Sequence, residues 1–499
     1  MVEQHQRMEQ QETVTGDLEE SIEMVHRFFT EAPDLFVRRL VIKQTGEKAA
    51  VVFLEGLTDR ASLNRDVLRP LQVETGSADG DFITNVAVVR RHTHWYELKQ
   101  SILRGNSVLL IDGRTEAYVL DTKGWPQRAI EDPQQEPSLK GAHQGFVETA
   151  SQNIAMIRRY IPHDQLKMKK YTVGKRGKTA VSLLYLQDVA NPALIEKLDS
   201  RIREIDVDII INTGELAEFI EDSPFALFPQ IISTERPDTA VSQLLQGRCV
   251  IVVDRSPSVL VAPVNFMAFF QTVDDYSTRW SIATFLRLLR MFAFFVAIFL
   301  PGIYIAVLSF HFEIIPMKLL LTLGESRGQV PFPPFVEAIL MEITLEMLRE
   351  AGVRLPTPVG QTVGIVGGIV IGQAVVQAGL ISNIMVIVVA FTAIASFIMP
   401  NMDMTAAVRL MRFFMMLLAT LFGFVGLVIG LMILAGRLVM LNSVDMPYSS
   451  PFAPLRISEW KDTFIRAPLW LMNRRPFSNR TLQTKRQGIT NGWEERKRR

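Results

Sequence analysis

"MFAFFVAIFLPGIYIAVLSF" occupies residues 291–310 and has no charged side chain over 20 positions. An α-helix of about 20 apolar residues crosses a hydrocarbon core of about 30 Å, so this stretch predicts a membrane span. The Pro301–Gly302 pair near its middle predicts a kink. Cytoplasmic flanks of membrane spans are enriched in Lys and Arg. The flank before this span holds Arg279, Arg287 and Arg290, which predicts that this end is cytoplasmic.

Composition separates the chain into two chemically different halves at this span. The 499 residues carry 53 Lys and Arg against 52 Asp and Glu, a balance that argues against a nucleic-acid-binding chain, whose footprint is strongly basic. The polar, acidic N-terminus does not have the pattern of a signal peptide, so the first half is expected in the cytoplasm. The single cysteine, Cys249, excludes an internal disulfide and is interpreted as a small buried side chain.

Three further apolar runs complete a predicted membrane domain at 281–440. They cover 359–381, 384–399 and 413–436. Together with the first span they predict four crossings. An even number leaves both termini in the cytoplasm, in agreement with the basic tail at 441–499. The arrangement puts Arg409 and Arg412 near the outer face, where the positive-inside rule does not expect them.

Glycine recurs at every fourth position in "GQTVGIVGGIVIG", residues 360–372, and so lines one face of a helix. In water each glycine costs a helix about 1 kcal/mol, but in a membrane small residues let two helix backbones pack closely. The partner of this face is either a helix of the same chain, such as 384–399, or a neighbouring subunit. The predicted stripe consists of Gly360, Gly364, Gly368 and Gly372.

Residues 313–350 are expected to lie at the membrane interface or to enter the membrane as a re-entrant element. Within this segment Glu342, Glu346 and Glu350 are spaced four residues apart and share one helical face. Such a face is either an ordinary solvated surface or part of a cation path, because rings of carboxylates attract cations. The candidate cation-path residues are Glu342 and Glu346.

The first half of the chain contains an internal repeat. "GNSVLLIDGRTEAYVL" (105–120) aligns without gaps with "GRCVIVVDRSPSVLVA" (247–262), and each copy reads as strand, turn and strand. The predicted fold class is therefore an α/β soluble N-terminal half of two related subdomains, followed by an all-α helical transmembrane domain. The subdomains are placed at 20–140 and 141–280, after a disordered tail at 1–19.

Catalytic and metal-binding motifs are missing from the sequence. Asp112 and Asp254 occupy the same place in the two copies of the repeat. An Asp at a strand end can bind Mg²⁺, but it more often opens a turn. We therefore expect a protein that is not an enzyme and that needs neither a metal nor a cofactor.

The irregular segment "EDSPFALFPQIISTERPD", residues 221–238, contains three prolines. We expect Phe225 and Phe228 to anchor it to the second subdomain. The segment is then either a connector between strands or a part that docks on a partner and relays a conformational change.

Several long strings in this order resemble the A subunit of the GerA family of spore germinant receptors. They include "GFVETASQNIAMIRRYI" (145–161), "SPFALFPQIISTERPD" (223–238) and "MPYSSPFAP" (446–454), together with residues 247–276 and 330–382. One position departs from the family, since Gln373 stands where a Glu is common. The resemblance assigns a family motif to Pro224, Phe225, Phe228, Pro229, Gln230, Glu235, Arg236 and Pro237.

The resemblance implies a multi-pass protein of the inner spore membrane, with both termini on the spore core side. It implies a transporter-like B subunit and a lipoprotein C subunit as partners. It also implies self-association as a pentamer that forms a nutrient-gated cation channel and triggers germination. Three alternatives stay open: a sporulation paralogue that conducts ions without a nutrient-binding partner, a non-conducting scaffold, and a secondary transporter.

Overall fold

The computed structural model describes residues 12–73, 84–124, 136, 141, 143–356, 359, 367–368 and 372–488. These residues form two five-stranded antiparallel sheets flanked by helices, then a bundle of apolar helices, then a C-terminal segment. The predicted fold class, an α/β half followed by a helical half, is confirmed.

The first subdomain has three layers because its strands are apolar on both faces. Its strands are β1 (Leu35–Val41), β2 (Lys48–Leu54), β3 (Val89–His92), β4 (Ser107–Ile111) and β5 (Ala117–Leu120), in the spatial order β1-β2-β4-β5-β3. Along β2, Ala50 and Val52 face one side and Ala49 and Val51 the other, as the period of two in a strand requires. The first side is covered by α1 (Leu18–Phe28) and α3 (Trp95–Leu103), and the second by the helical stretch α2, made of Arg60–Ser62, Leu63–Leu68 and Arg69–Val73.

Part of the predicted disordered tail, 1–19, is ordered. Val14 is buried in the first subdomain, and Thr13 pairs with His94 as an isolated β-bridge. The prediction of disorder is therefore wrong for 12–19, where a short polar stretch leads directly into α1. Residues 1–11 lie outside the described residues.

The second subdomain repeats this plan. Its strands are β6 (Leu166–Val173), β7 (Thr179–Leu186), β8 (Ile232–Thr234), β9 (Cys249–Val253) and β10 (Val259–Ala262), in the order β6-β7-β9-β10-β8. Its helices are α4 (Ala150–Tyr160), α5 (Pro192–Glu204), α6 (Thr213–Ile220) and α7 (Pro237–Leu245). Cys249 is buried in this sheet, and its burial raises the pKa of the thiol to about 12, so it is a core side chain, as expected.

The strand orders of the two sheets are identical when β1 to β5 are matched to β6 to β10, so the duplication extends over the whole subdomain. Asp112 and Asp254 also make equivalent hydrogen bonds in the two subdomains. Asp112 accepts a hydrogen bond from the first N–H of α1, on Leu18, at 3.3 Å. Asp254 accepts one from the first N–H of α4, on Ala150, at 3.2 Å. Each carboxylate therefore accepts from the first N–H of a helix, one of the groups that a helix N-terminus leaves without an internal partner.

A buried ion pair joins the two subdomains. The Arg158 guanidinium of α4 donates to both carboxylate oxygens of Asp34, at 2.5 and 2.8 Å, and both side chains are buried. Because a buried, bidentate pair of this kind fixes orientation as well as distance, the subdomains are held together as one soluble module.

The helical half consists of α8 (Trp280–Phe310), α9 (Met317–Arg327), α10 (Pro334–Arg354), α11 (Gly372–Gln377), α12 (Asn383–Phe397) and α13 (Met402–Met440). Among the described residues α8 and α13 are long and apolar enough to cross a membrane, and α12 is a shorter apolar helix. The predicted span 291–310 lies inside α8, which stays helical through Pro301.

The predicted single span 413–436 is instead folded back on itself at Gly423. This residue has φ +59° and ψ −136°, a combination that is essentially restricted to glycine. A Cβ on Gly430 would lie 2.4 Å from Met415 Sδ, although 15 residues of straight helix span about 22 Å. The halves of α13, 402–422 and 424–440, are therefore antiparallel arms, and we call α13 the hairpin.

The tip of the hairpin lies at the end of α8 that is remote from the soluble module. A Cβ on Gly423 would lie 3.1 Å from Phe310 Cβ, and the His311 and Phe424 rings are 5.1 Å apart. The hairpin therefore begins and ends at the soluble module, because the opposite end of α8 follows directly from that module.

The C-terminal segment, predicted as a basic tail at 441–499, packs on the second subdomain as far as it is described. Strands β11 (Asn442–Ser443) and β12 (Met446–Pro447) pair with each other. Further on, the Leu482 N–H donates to the Val189 carbonyl at 3.0 Å. The Arg475 guanidinium donates to the Leu245 carbonyl at 2.8 Å. We call residues 451–488 the C-terminal arm.

Candidate functional site

Five charged side chains lie together inside the helical half, and we call Glu342, Glu346, Arg349, Arg409 and Arg412 the bundle cluster. Its centre is the pair between Arg412 of the hairpin and Glu342 of α10, with 2.5 Å between Nη1 and the carboxylate. Both side chains are at most 2% exposed. The same guanidinium donates to the Ala297 carbonyl at 2.8 Å and to Ser396 Oγ at 2.5 Å. One side chain thus joins α8, α10, α12 and the hairpin.

The outer part of the bundle cluster is only partly buried. Glu346 accepts from Arg409 of the hairpin at 2.6 Å and from Arg349 of its own helix at 3.2 Å. The Arg349 guanidinium also lies over the Phe397 ring, 5.2 Å from its centre. Three arginines therefore face two carboxylates, and every carboxylate of the cluster has a positive partner.

A second set of polar groups lies nearer the hairpin tip. The buried Glu337 carboxylate accepts from the Ser382 N–H at 2.9 Å and lies 3.3 Å from Arg327. Ser382 Oγ in turn lies 3.0 Å from the Tyr304 hydroxyl. These contacts connect the start of α10, the start of α12 and the part of α8 that lies toward the hairpin tip.

These pairs resolve the position of Arg409 and Arg412, which the four-span prediction left near the outer face. Both arginines lie on the hairpin arm that rises from the soluble module, and both pair with α10. The solvated interpretation of the acidic face is wrong for Glu342, which is buried, and it holds for Glu350, which is exposed and paired with Arg354. The sequence showed the acids of α10 and Arg349 beside Glu346, but not the partners on the hairpin.

The glycine stripe is described at two of its four positions, because Gly360 and Gly364 lie outside the described residues. At Gly368 and Gly372 a Cβ would have no heavy atom of the described chain within 4 Å. A Cβ on Gly367, beside the stripe, would lie 2.7 Å from a methyl group of Leu348 on α10. The intramolecular alternative, with 384–399 as the partner, therefore has no contact with Gly368 or Gly372 among the described residues.

The family-motif segment lies where the soluble module meets the bundle. Phe228 is buried, and its ring is 5.9 Å from that of Phe266. Phe266 in turn packs edge to face on Phe294 of α8 at 5.5 Å. Phe228 therefore anchors the segment as predicted. The same prediction is wrong for Phe225, which is fully exposed.

The other motif residues have structural contacts. The Gln230 side chain bonds both backbone groups of Ser223. The backbone carbonyl of Gln230 accepts from Ser443 Oγ at 2.6 Å. Arg236 makes a two-bond pair with Asp238. The Glu235 carbonyl accepts from the Phe146 N–H at 2.7 Å, and Pro237 is the first residue of α7. Pro224 and Pro229 flank the exposed turn, as an exposed and a half-buried residue respectively.

A second buried charged group, which sequence reasoning missed, ties the base of α8 to the rest of the chain. We call Asp275, Tyr276, Arg287, Arg290 and Asp462 the junction cluster. Arg287 bonds Asp275 and Asp462, both at 2.9 Å, and Arg290 donates to Asp275 at 2.9 Å. The Tyr276 hydroxyl donates to Asp462 at 2.8 Å, and burial raises the pKa of Tyr276. Two of these arginines were recognised in the sequence only as a cytoplasmic flank.

The fold and the two clusters define a class of protein: a membrane-associated helical bundle with charges enclosed in it, coupled through a charged junction to a soluble α/β module. The described residues include no group of three or more His, Cys, Asp or Glu side chains arranged to hold a metal ion.

Comparison with known proteins identifies the family. The family model described as "Bacillus/Clostridium GerA spore germination protein" matches residues 23–478. The chain is 38% identical over 477 residues to spore germination protein GerLA of Bacillus cereus, covering 94% of this chain and 96% of that protein. It is 38% identical over 491 residues to spore germination protein KA of Bacillus subtilis strain 168, covering 97% and 90%. The chain belongs to the GerA family of spore germination proteins.

One solved structure is also similar. It is the crystal structure of the N-terminal domain of the A subunit of the Bacillus megaterium spore germinant receptor GerK3. It matches with a TM-score of 0.39 and 26% identity, covering 51% of this chain and 98% of that one.

Proposed function

We propose that this chain is the A subunit of a nutrient germinant receptor in the inner spore membrane, and that copies of it assemble around a cation path. A transporter-like B subunit and a lipoprotein C subunit are the expected partners, and B is the expected nutrient-binding subunit. Relatives named as spore germination proteins match over nine tenths or more of both chains. This similarity supports the role in germination.

The observation that carries the cation path is the bundle cluster. Ionisable side chains inside a membrane are costly and mark ion or substrate pathways. In the conformation described, arginines neutralise Glu342 and Glu346. We propose that this is the closed state. When the hairpin moves away from α10, the two carboxylates lose their arginines and attract a monovalent cation.

The helix directions support six membrane passes in place of the four predicted. Both α10 and α12 begin near Glu337, and Phe397 at the end of α12 lies over Arg349 near the end of α10. The end of α10 and the start of α12 therefore lie at opposite ends of the bundle, and we propose that the predicted span 359–381 supplies the pass between them. With α8 and the two arms of the hairpin this makes six passes, and both termini lie on the side of the soluble module.

The glycine stripe supports self-association, with a pentamer as the expected form. The described part of the stripe faces open space, and glycines on a membrane helix are favourable only where another backbone lies against them. We propose that a neighbouring subunit supplies that backbone.

Single-channel recording from the reconstituted receptor tests the cation path. We expect nutrient-dependent currents that select cations. In a salt gradient, we expect Glu346→Gln to move the reversal potential toward zero, which indicates weaker selection of cations. Glu350→Gln is the matched control, because Glu350 lies one turn further on the same helix and is exposed. Equal reversal potentials for the two variants would remove the bundle cluster from the path.

Crosslinking and gel filtration test the assembly. We expect Gly368→Leu to dissociate the oligomer and to abolish germination while the soluble module stays folded. Gly352→Leu is the control, because Gly352 also has open space around it but lies on α10, outside the stripe. An intact oligomer in Gly368→Leu spores contradicts the role of the stripe.

One observation favours the non-conducting scaffold as a second candidate. A scaffold does not need Glu342 to meet water, and Glu342 is 1% exposed. Under this alternative the reconstituted complex passes no current with any nutrient, while Arg412 and Glu342 remain necessary for assembly.

A further inference from the structure

The C-terminal arm is strongly basic once its internal contacts are taken into account. Residues 451–488 contain eight Lys and Arg and two acids. Both acids are used inside the protein: Asp462 in the junction cluster, and Glu459 in accepting from the Ser478 N–H at 3.0 Å. The exposed charge of the arm is therefore positive. Its exposed basic residues include Lys461, Arg474, Arg480, Lys485 and Arg486.

Contacts with α8 fix the height of the first part of the arm, near Asp462 and Arg466, relative to the apolar run. The Arg466 N–H donates to Thr284 Oγ1 at 3.1 Å. Thr284 lies seven residues before Met291, where the charge-free stretch begins, a distance of about 10 Å along a helix. The headgroup layer on each side of a bilayer is about 5–8 Å thick. If α8 spans the membrane as proposed above, Thr284 therefore lies just outside the headgroup layer, and the part of the arm that contacts it is within reach of the headgroups.

At this level the arm presents apolar side chains to the outside. The short 3-10 turn Leu469–Leu471 has all three of its side chains more than 40% exposed, and Ile465 is also exposed. The first turns of α8, next to the arm, are apolar and exposed as well at Trp280 and Phe285. Trp and Leu beside Lys and Arg are typical of segments that lie in the membrane interface.

We propose that the C-terminal arm is a lipid-binding element that inserts Leu469–Leu471 into the interface and holds anionic phospholipid headgroups with its basic side chains. The inference rests on the proposed membrane location of the bundle, but it does not depend on ion conduction. Clusters of Lys and Arg next to a membrane helix attract anionic lipids. The apolar turn adds a contact that charge alone does not provide.

Fluorescence quenching in vesicles tests the proposal. The full chain is reconstituted with Trp470 as its single tryptophan, the other five of its six tryptophans being replaced by Phe. Vesicles contain phosphatidylcholine alone or with phosphatidylglycerol. We expect brominated lipid to quench Trp470 strongly and aqueous iodide to quench it weakly. We also expect phosphatidylglycerol to increase the quenching by lipid at least twofold.

Two reference variants make the result decisive. A chain with only Trp95, buried in the first subdomain, should respond to neither quencher. A chain with only Phe295→Trp, on the exposed face of α8, should respond to lipid. If Phe295→Trp is quenched by lipid and Trp470 is quenched only by iodide, the arm proposal fails and the membrane location stands. Shielding of Trp470 from both quenchers indicates cover by protein and also overturns the proposal.

The charge requirement is tested separately. Arg474, Arg480, Lys485 and Arg486 are replaced together by Gln, and we expect the increase caused by phosphatidylglycerol to disappear. As a control, Arg38 and Arg90, exposed basic residues of the first sheet, are replaced by Gln. We expect this variant to keep the full increase in quenching caused by phosphatidylglycerol. An unchanged increase in the arm variant contradicts headgroup binding.

A spin label answers the same question if the tryptophan replacements unfold the chain. Because Cys249 is the only cysteine, Leu471→Cys on a Cys249→Ala background gives a single labelling site. We expect greater accessibility to oxygen than to a water-soluble nickel complex, and the reverse result overturns the proposal.

Discussion

The bundle cluster and the junction cluster both bury several charges, but they differ in how completely those charges are bonded. In the junction, both oxygens of Asp275 and both oxygens of Asp462 accept hydrogen bonds. In the bundle, Glu342 Oε1 and the Nε atoms of Arg349 and Arg409 are buried without a hydrogen-bond partner in the described chain. Arg287 Nη2 of the junction is also buried without a partner in the described chain, so the contrast lies in the carboxylates: both oxygens are bonded in each junction carboxylate, whereas Glu342 has one unbonded oxygen.

This difference indicates different roles. A buried carboxylate with both oxygens bonded holds its partners in place, whereas one with an unbonded oxygen leaves a strained arrangement that a modest rearrangement relieves. The junction therefore acts as a rigid coupling between the soluble module, α8 and the C-terminal arm. The bundle cluster has the properties expected of a part that rearranges. The predictions below test this contrast.

The largest effect is expected at Arg412. Arg412→Met leaves Glu342 as an unpaired buried charge, which costs about 3–5 kcal/mol. We expect a marked fall in the thermal unfolding midpoint of the detergent-solubilised protein. The double variant Glu342→Gln/Arg412→Met should recover most of the loss, because no unpaired charge remains. Arg437→Met, at an exposed site near the end of the hairpin, is the control. Equal losses in the single and double variants would show that packing, and not charge, dominates.

A smaller effect is expected in the junction. Asp462→Asn weakens charge-assisted bonds to Arg287 and Tyr276, and each such bond contributes about 1.5–3 kcal/mol, but Asp275 still holds Arg287. We expect the C-terminal arm to become sensitive to limited proteolysis while the soluble module stays protected. Asp445→Asn, at an exposed residue of the preceding turn, is the control. An arm that remains resistant would mean that the coupling does not depend on Asp462.

The turn of the hairpin should be sensitive to a single methyl group. Gly423→Ala forces a side chain into a backbone region that costs about 1–3 kcal/mol outside glycine, and its Cβ would lie 3.1 Å from Phe310. Gly436→Ala, in the same helix with open space around it, should be neutral or slightly stabilising. The unfolding midpoints of the two variants measure the difference. Equal midpoints would contradict a hairpin turn at Gly423.

The smallest effects are expected where no buried charge pair is involved. Asp112→Ala and Asp254→Ala each remove one bond to a helix N-terminus, and losses at such positions are about 0.5–2 kcal/mol. We expect faster hydrogen exchange in the first turn of α1 for the first variant and of α4 for the second. Exchange that spreads through a whole subdomain would show that these residues do more than cap a helix.

How much of this architecture the sequence could predict depended on the range of the interactions. The duplication was visible because both copies align without gaps and share Asp112 and Asp254. The first span was visible because its apolar run is continuous. The identical strand order was not accessible, since β4 pairs with β2 across 55 or more residues and pairing at that distance leaves no local pattern.

Only part of the bundle cluster could be predicted from the sequence. The acids of α10 showed a helical spacing, but Arg412 lies 70 residues away from Glu342, and nothing local links them. The hairpin turn was missed because a lone glycine inside an apolar run is normally tolerated in a helix. Its exceptional backbone angles depend on packing against Phe310. Phe225 was misjudged because the sequence cannot distinguish the anchoring side chain of Phe228 from an exposed aromatic side chain three positions earlier in the same loop.

The return of the hairpin to the soluble module also sets an order of events during synthesis. The Val264 N–H donates to Ser443 Oγ at 2.9 Å across 179 residues of sequence. At about 5–20 residues per second, the ribosome makes Ser443 roughly 9–36 s after Val264. Throughout that interval the Val264 N–H lacks this partner. A nascent chain that stalls before the second arm of the hairpin cannot form this bond, so the second subdomain acquires its full set of contacts only after the membrane bundle has been synthesised.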